Sequence, residues 1–317
     1  SVFGGKVNSS LLLRNMEREV KVVSWNVDGL NRDHLSLRTR AQCAELLHEV
    51  PDIILLQEIV PNTLVIIKKE LGKKFRLFSS AEFFEQYGHE APPFFNIIAW
   101  NKETIKRVGK PGLERFSERG NHRHLLSCSF RMRNGPKEDS QFFVSTSHFE
   151  SSRSGANDRK KQFQISLEQL TDITEGTGHY SLGIFGGDTN LREPEAKEIL
   201  THYQDSVKDC WAQVCPDTDK ETKYTWDTVR NQNSATGGPI KIRTRYDRIL
   251  FTTCRSGCCP DWFPIFWKLL GTKKLSSINL HPSDHFGICS TFLLFPSEQP
   301  QPTTVTPDDS SDIIDLT

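Results

Sequence analysis

Short apolar runs bounded by polar or turn-forming residues recur along most of this chain. The runs with the length and composition of buried strands are residues 19–25, 52–57, 94–100, 124–132, 142–148, 181–185, 247–252 and 288–295. Helical spacing of apolar positions predicts helices at 38–50, Pro61–Leu71, 159–174 and 193–200. Because strands outnumber helices and a hairpin-length turn is predicted at 133–136, two packed sheets with helices outside are the simplest arrangement.

The composition favours one large domain. The chain has 317 residues, 36% of them hydrophobic, which is enough to bury a sizeable core. No repeat or long linker interrupts its middle, so we expect an extension at 1–18, one folded domain at 19–296 and a tail at 297–317. No apolar run approaches the roughly 20 residues that a membrane span requires, so no membrane association is expected.

A net charge of zero conceals an asymmetry along the chain. The tail contains five acidic residues and no lysine or arginine, which leaves 40 basic against 35 acidic side chains elsewhere. Residues 102–133 hold nine of the basic residues against three glutamates. Phosphate contacts to a polyanion would explain this stripe, and a solvated surface would explain it equally well.

The eight cysteines are scattered, without the paired spacing of a zinc site or the density of a disulfide scaffold. We therefore expect them to be reduced. Cys254, Cys258 and Cys259 are the close group in the sequence, and ordinary loop cysteines explain it better than a metal site does.

Four polar clusters each lie at an end of a strand-like run. They are Ser24-Trp25-Asn26, Leu56-Gln57-Glu58, Gly187-Asp188-Thr189-Asn190 and Ser283-Asp284-His285-Phe286. Clusters placed in this way can meet at one edge of a sheet. Together they contain what a metal-dependent phosphodiesterase needs: a carboxylate for a hard cation, a carboxylate and amide pair to aim water, and imidazole to receive charge at phosphorus.

The carboxylates and amides have individual roles in this hypothesis. Glu58 ends a buried run, where an ionised side chain is costly unless it is paired or bound to a cation such as magnesium. Asp188 and Asn190 can both aim at one water molecule if the chain turns between them. Asn26 ends the first strand in the same fashion. Taken singly, Glu58 is more readily explained as a surface residue, while Asn26 and the turn of Asp188 and Asn190 are equally well explained as turn residues without a chemical role.

His285 and His148 are the candidates for donating a hydrogen bond to a phosphoryl oxygen as negative charge accumulates. A protonated imidazole does this better than a neutral one. Asp247 begins another apolar run and could hold His285 in its charged form, while Asp284 is available near the metal. Each assignment is weak alone, and the occurrence of all of them in this order strengthens the set.

The ordered motifs resemble the endonuclease/exonuclease/phosphatase superfamily over residues 20–295. The segments that carry the resemblance are Ser24-Trp25-Asn26-Val27-Asp28-Gly29, Leu56-Gln57-Glu58-Ile59, Ser147-His148-Phe149-Glu150-Ser151, Gly187-Asp188-Thr189-Asn190-Leu191-Arg192, Thr225-Trp226-Asp227-Thr228 and Pro282-Ser283-Asp284-His285. The resemblance implies a four-layer αββα sandwich of two mixed β-sheets flanked by helices, which is the DNase I-like fold. It also implies divalent-metal phosphoester hydrolysis.

The Thr-Trp-Asp-Thr and Asn-Leu-Arg segments narrow the resemblance to the branch that hydrolyses 5′-phosphotyrosyl bonds in DNA. Position by position, it implies a magnesium or manganese site at Glu58, Asn26 and Asp284, and a catalytic set of Asp188, Asn190, His148, His285, Asn26 and Asp247. Arg192 is implied as a phosphate contact and Trp226 as part of the wall beside the DNA or tyrosyl adduct. Ser24 and Tyr246 depart from residues common in that branch, which leaves the exact shape of the pocket open.

The implied substrate is a DNA 5′ end that carries a tyrosyl or topoisomerase II peptide adduct, and the implied product is a 5′-phosphate. Repair of double-strand breaks by a nuclear monomer, with the cytoplasm as a second location, belongs to the same expectation. Two alternatives stay open. One is another phosphoesterase of this fold, such as an abasic endonuclease, a deadenylase or a phosphoinositide phosphatase; the other is a non-catalytic adaptor.

The tail ends in a short aliphatic patch framed by acids. Its residues are Asp312, Ile313, Ile314, Asp315 and Leu316. Such a segment can add as a strand to the edge of a partner's sheet, with its acids on basic residues, and it resembles a SUMO-interacting motif. A frayed acidic end is the alternative.

Overall fold

The computed structural model describes residues 19–88, 90–116, 122–133, 141–176, 180–216, 218–234, 241–254 and 261–295. The predicted extension, the tail with the segment that resembles a SUMO-interacting motif, most of the turn at 133–136, and Cys258 and Cys259 lie outside these ranges. Within them the cysteines have free thiols: Cys43, Cys128, Cys210, Cys215, Cys254 and Cys289.

Strands and helices alternate as far as the strand that ends at Asn101, and after that several strands also follow one another without an intervening α-helix. In chain order the elements are β1 (Glu19–Asn26), α1 (Leu35–Glu49), β2 (Ile53–Ile59), α2 (Pro61–Leu71), β3 (Phe75–Ser79), α3 (Ser80–Gln86), β4 (Phe95–Asn101), β5 (Ile105–Arg115), β6 (His124–Met132), β7 (Gln141–His148), α4 (Ala156–Gly176), β8 (Leu182–Asp188), α5 (Glu193–His202), β9 (Lys208–Asp209), α6 (Cys210–Val214), β10 (Trp226–Asp227), β11 (Arg243–Thr244), β12 (Asp247–Thr253), β13 (Asp261–Leu270) and β14 (Gly287–Phe295).

The strands form two mixed sheets of six. The first sheet has the order β13-β14-β1-β2-β4-β3, the second has the order β5-β6-β7-β8-β12-β9, and β10 and β11 pair separately. The parallel pairs are β1 with β2 and β7 with β8, and the other described pairs in these sheets are antiparallel. Each parallel pair needs a crossover, which α1 and α4 supply.

The two sheets pack face to face. Leu55 and Ile98 of the first sheet and Phe142 and Ile184 of the second are fully buried in one apolar cluster. Burying one such side chain stabilises the fold by about 1.5–3 kcal/mol. Nearly every residue of β2 is buried because a layer covers each face of its sheet, which explains why its sequence is a continuous apolar run rather than an alternating one.

Helices cover the outer faces of both sheets. Leu46 of α1 and Ile67 of α2 pack into a second apolar cluster on the first sheet. Phe163 of α4 and Ile199 of α5 pack into a third cluster on the second sheet. The predicted αββα sandwich is therefore confirmed. Among the described residues, no helix combines the length and apolar character needed to cross a bilayer.

The predicted strands and helices are all present, with small shifts at their ends, whereas two long strands were missed. These are β5 and β13, which contain Pro111 and Pro264 respectively. Both are edge strands with an irregular register, so a residue that lacks an N–H is tolerated there. Of the described basic residues in the stripe at 102–133, four lie on β5, the edge strand of the second sheet, and one lies on β6 beside it.

Candidate active site

The ends of the central strands bring the predicted polar residues to one edge of the sandwich. Asn26 ends β1, and Glu58 lies next to the last residue of the parallel strand β2. His148 and Asp188 are paired at the ends of the parallel strands β7 and β8. Because the carboxyl ends of parallel strands share an edge, side chains that are distant in sequence become neighbours.

Asp247 and His285 reach this same edge through antiparallel strands. Asp247 begins β12 and pairs directly with Asp188. His285 precedes β14, which runs antiparallel to β1, and Ile288 pairs with Ser24. A strand that runs the opposite way places its first residues where the parallel strands place their last, so both residues join the site.

A bulge in β2 aims the side chain of Glu58. The pairing of β2 with β4 shifts register between Leu56 and Ile59, and Glu58 has a positive φ of 56°. A non-glycine residue in this region costs free energy and usually marks a functional position. Gly29 packs against this bulge so closely that a Cβ atom there would lie 2.1 Å from the carbonyl oxygen of Glu58. Glycine at position 29 is therefore required by the shape of the site.

Asp188 lies at the centre of the site. Asn26 Nδ2 donates to Asp188 Oδ2 at 2.9 Å, and the backbone N–H of Asn190 donates to Asp188 Oδ1 at 3.0 Å. His148 Nε2 lies 3.3 Å and His285 Nε2 3.7 Å from Asp188 Oδ2. The carboxylate is therefore held by groups from four different segments, as a residue that aims a water molecule must be.

His285 is held in its charged form. Its Nδ1 lies 2.8 Å from Asp247 Oδ2, and Asp247 is completely buried. Burial alone would lower the pKa of His285, but the carboxylates of Asp247, Asp188 and Asp284 together raise it well above the ordinary value. An imidazolium is the consequence, and its Nε2–H faces the site. This is the arrangement expected of a group that stabilises negative charge on a phosphoryl oxygen.

His148 is in a different state from His285. Burial, and then the charge of Arg123, lower the pKa of His148 to about 3. Its neutral ring can donate from Nε2 to Asp188, while Nδ1 lies 3.7 Å from Glu58 Oε1. The protonated form expected for His148 is therefore disfavoured by its surroundings, and in this structure the ring orients Asp188.

The carboxylates beside Asn26 form the best site for a cation. Burial, and then Asp284, raise the pKa of Glu58 to about 7. The same causes raise the pKa of Asp28 to about 7, although Arg38 Nη1 lies 3.0 Å from Asp28 Oδ2. Acids crowded in this way favour a bound divalent cation, which would stabilise their ionised forms. Glu58, Asn26 and Asp284 are therefore the residues that could hold a divalent cation on this side of the site.

A second group of potential ligands is less suitable for a hard cation. Asp188, Asp247 and His285 offer ligand atoms that all lie within 4.8 Å of one another. However, His285 Nδ1 is already paired with Asp247. Because magnesium prefers oxygen ligands in a full coordination shell, these three residues suit a hard cation less well than the acids beside Asn26 do.

One wall of the site is aromatic. Trp226 Nε1 donates to Asp284 Oδ2 at 3.4 Å, and the Trp226 and Tyr246 rings lie 5.9 Å apart. Tyr246 in turn lies 6.4 Å from the ring of His285. Arg192 is exposed at the start of α5, and its charge acts on Tyr246. The structure therefore places both predicted substrate contacts, Arg192 and Trp226, at this wall.

Two functional candidates were missed from the sequence. Asp28 follows Asn26 by two residues within the motif at the end of β1, and its positive φ of 52° brings it to the acidic group. Arg123 is buried, and its guanidinium lies 4.9 Å from the ring centroid of Phe94 and donates to the carbonyl oxygen of His148 at 3.3 Å. In the sequence Arg123 was one of nine residues in a basic stripe, and nothing local distinguished it.

A cavity of about 1140 Å³ lies between the segment that follows β1 and the start of α2. Its walls include Gly29, Val60, residues 34–37 and Pro93. None of the acids or histidines of the candidate site lines this cavity, so it is a separate feature of the surface.

The chain matches no protein-family model. It shares its fold with an endonuclease/exonuclease/phosphatase family protein from Bacteroides thetaiotaomicron, with a TM-score of 0.65 at 14% identity, over 87% of this chain and 97% of that one. It aligns with D. rerio TDP2 complexed with single strand DNA product, with a TM-score of 0.73 at 29% identity, over 86% of this chain and 98% of that one.

The fold and the carboxylate–imidazole site define a phosphodiesterase of the endonuclease/exonuclease/phosphatase class. The chain is 30% identical over 276 residues to tyrosyl-DNA phosphodiesterase 2 of Danio rerio, which covers 87% of this chain and 67% of the relative. It is also 30% identical to the human protein of the same name, over 84% of this chain and 66% of the relative. The chain therefore belongs to the tyrosyl-DNA phosphodiesterase 2 family, and it spans about two thirds of the length of these relatives.

Proposed function

We propose that this chain is a magnesium-dependent 5′-tyrosyl-DNA phosphodiesterase. It would hydrolyse the bond between a trapped topoisomerase II tyrosine and a DNA 5′ end, leave a 5′-phosphate, and so act in double-strand break repair. The observation that carries the proposal is the fixed Asp188 carboxylate beside the charged pair of His285 and Asp247. The product complex of a relative that is 29% identical supports DNA as the substrate.

The side chains account for an in-line displacement at phosphorus. Asp188 accepts a proton from the attacking water, and Asn190 helps to fix that water opposite the leaving oxygen. The imidazolium of His285 stabilises the negative charge that accumulates on the phosphoryl oxygen. Tyrosine leaves as a phenolate with a parent pKa of about 10, so protonation of the leaving group is less important than it would be for a sugar alkoxide.

Glu58, Asn26 and Asp284 would hold the metal ion. When bound, a divalent ion neutralises charge that develops on the phosphoryl oxygens. Asn26 has a second role, because its amide also donates to Asp188. It therefore connects the cation-binding acids to the residue that aims the water. Manganese has similar ligand preferences and should substitute for magnesium.

Substrate selection would depend on the aromatic wall. Trp226 and Tyr246 offer faces on which a base or the tyrosyl ring can stack, and Arg192 offers a charge for the phosphate backbone. An abasic endonuclease, a deadenylase or a phosphoinositide phosphatase could use the same acids and imidazole. A substrate panel separates these alternatives. The residues that act at phosphorus could be the same in each of these enzymes, whereas the residues of the aromatic wall would select the substrate.

The direct test is hydrolysis of a 5′-phosphotyrosyl oligonucleotide. With magnesium, we expect release of tyrosine and a 5′-phosphorylated strand, and little turnover of an abasic duplex, a poly(A) strand or an inositol phosphate. The same oligonucleotide with a 5′-phosphate alone is the control for nuclease activity. Failure to release tyrosine at any magnesium or manganese concentration would exclude the proposal.

Two further parts of the proposal concern the cell. We infer that the protein acts as a monomer in the nucleus, with the cytoplasm as a second location, and that Asp312, Ile313, Ile314, Asp315 and Leu316 bind SUMO. The alternation of acids and aliphatics in this segment supports the second inference. A peptide of residues 306–317 should bind SUMO, and a peptide with alanine at both isoleucines and the leucine should not.

A further inference from the structure

The turn that follows Asp188 carries backbone strain. Asn190 has a positive φ of 50°, and this conformation sends its side chain amide toward the carbonyl oxygen of Phe149, which accepts at 3.2 Å. A left-handed residue outside glycine persists only where its surroundings fix it. The residues on either side of Asn190 must therefore be restrained, or the Asn190 N–H would no longer bond Asp188.

One buried guanidinium restrains both sides of this turn. Arg248 Nη1 donates to Thr189 Oγ1 at 2.7 Å and to the carbonyl oxygen of Leu191 at 3.2 Å. It also lies 3.4 Å from the carbonyl oxygen of Tyr246, to which the Thr189 hydroxyl donates at 2.6 Å. Arg248 therefore connects the residues that flank Asn190 to the backbone beside Asp247.

The charge of Arg248 is preserved despite complete burial. Burial, and then the neighbouring Arg245, lower its pKa to about 10, so the guanidinium is ionised at neutral pH. Glu193 supplies a counter-charge, with Oε2 3.3 Å from Arg248 Nη2. Arg245 shares that carboxylate through Oε1 at 3.0 Å and also bonds Asp209 at 2.8 Å. A buried arginine is costly unless it is paired and bonded, and here both Nη atoms of Arg248 have acceptors, whereas its Nε has none among the described residues.

We propose that Arg248, acting through Thr189, is a positioning residue that holds the Asp188–Asn190 turn in the geometry needed to aim water. This inference rests on the proposed function, because it concerns the same site. Arg248 has no access to substrate, since it is fully buried beneath the turn. Its effect on the reaction is therefore carried by the backbone and the hydroxyl of Thr189.

The test compares four variants. Arg248→Lys keeps the charge, but a single ammonium cannot reproduce the forked contacts to Thr189, Leu191 and Glu193. Thr189→Val keeps the shape of the side chain and removes the hydroxyl, while Thr189→Ser restores it. A displacement of about 1 Å at a reacting group costs up to about 10²-fold. We therefore expect kcat to fall at least about tenfold in R248K and T189V with KM nearly unchanged, and T189S to regain most of it.

Arg245→Met is the matched control. Arg245 shares Glu193 with Arg248 and bonds Asp209, but the contacts it makes do not include the turn. We expect R245M to lower the melting temperature without lowering kcat. Equal losses of kcat in R245M and T189V would overturn the proposal, because general destabilisation would then explain both. Wild-type kcat in T189V would also overturn it, even if R248K failed to fold.

The p-nitrophenyl ester of thymidine 5′-phosphate separates this inference from the proposed function. Wild-type protein that cleaves the ester but not phosphotyrosyl DNA would contradict the proposed substrate and leave the positioning role measurable. Normal cleavage of both substrates by T189V would contradict the positioning role and leave the proposed function intact.

Discussion

Replacing Asp188 with asparagine changes one oxygen atom of the site into an NH₂ group. In the structure both carboxylate oxygens accept: Oδ1 from the Asn190 N–H at 3.0 Å and Oδ2 from Asn26 Nδ2 at 2.9 Å. His148 Nε2 also lies 3.3 Å from Oδ2. An asparagine in either orientation must therefore place its own donor against another donor.

The magnitudes follow from these contacts. A buried donor left without an acceptor costs about 1–3 kcal/mol, so D188N should lower the free energy of unfolding by that amount. The loss of a general base that also orients the water should lower kcat by about 10²–10⁴-fold. Since a stability loss of this size leaves a typical domain folded at 25 °C, the loss of turnover would reflect chemistry rather than unfolding.

The assay has two arms. Single-turnover release of tyrosine from a 5′-phosphotyrosyl oligonucleotide measures the chemical step, and urea unfolding measures stability. Asp205→Asn, at an exposed position in the turn after α5, is the control for removing one negative charge. D188N that keeps more than a tenth of wild-type turnover would refute the role of Asp188 in aiming water. Unchanged stability would refute the donor arrangement described above.

Three other expectations follow from the structure. Glu58→Gln should abolish the rise in melting temperature that magnesium produces, because it removes the carboxylate whose pKa is raised by burial and then by Asp284; a rise equal to that of wild type would exclude Glu58 as a ligand. His124 is neutral when folded, since burial lowers its pKa to about 4 and its Nε2 faces Asn96 Nδ2 at 3.4 Å. Because this pKa is lowered on folding, the free energy of unfolding should fall by about 3 kcal/mol as the pH falls from about 6.5 towards 4. Urea unfolding of His124→Gln over the same pH range should show a correspondingly smaller loss. Trp226→Ala should raise KM for the oligonucleotide more than it lowers kcat, whereas Trp226→Phe, which loses only the hydrogen bond to Asp284, should have a small effect on both.

Most of the strands and helices could be predicted from local patterns in the sequence. The strand at 124–132 and the helix at Pro61–Leu71 have the bounds predicted for them, because their apolar spacing and the proline at the start of the helix are signals within a few residues. The strands β5 and β13 were missed because Pro111 and Pro264 argue against a strand. Only a position at the edge of a sheet makes these prolines acceptable, and that position depends on pairing partners distant in sequence.

The candidate site, like the fold, could be predicted from the sequence only in part. The sequence identified Asp188, Asn190, Asp247 and His285, which the structure brings together, because each lies at the end of an apolar run. It did not distinguish the protonation states of the two histidines. Burial lowers the pKa of both histidines. At His285 three carboxylates outweigh burial and raise the pKa above the ordinary value, whereas at His148 Arg123 adds to burial and the pKa stays below it.

What the sequence by itself determined is most of the strands and helices and the identity of the acids, amides and imidazoles at their ends. These depend on the period of the apolar positions and on residue type, and both are local. Only the tertiary structure decided which groups share an environment: the bulge that turns Glu58, the entry of Asp28 and Arg123 into the site, and the buried Arg248 beneath the turn of Asn190. The physical reason is that charge, burial and backbone strain depend on neighbours in space, and here those neighbours come from strands separated by much of the chain.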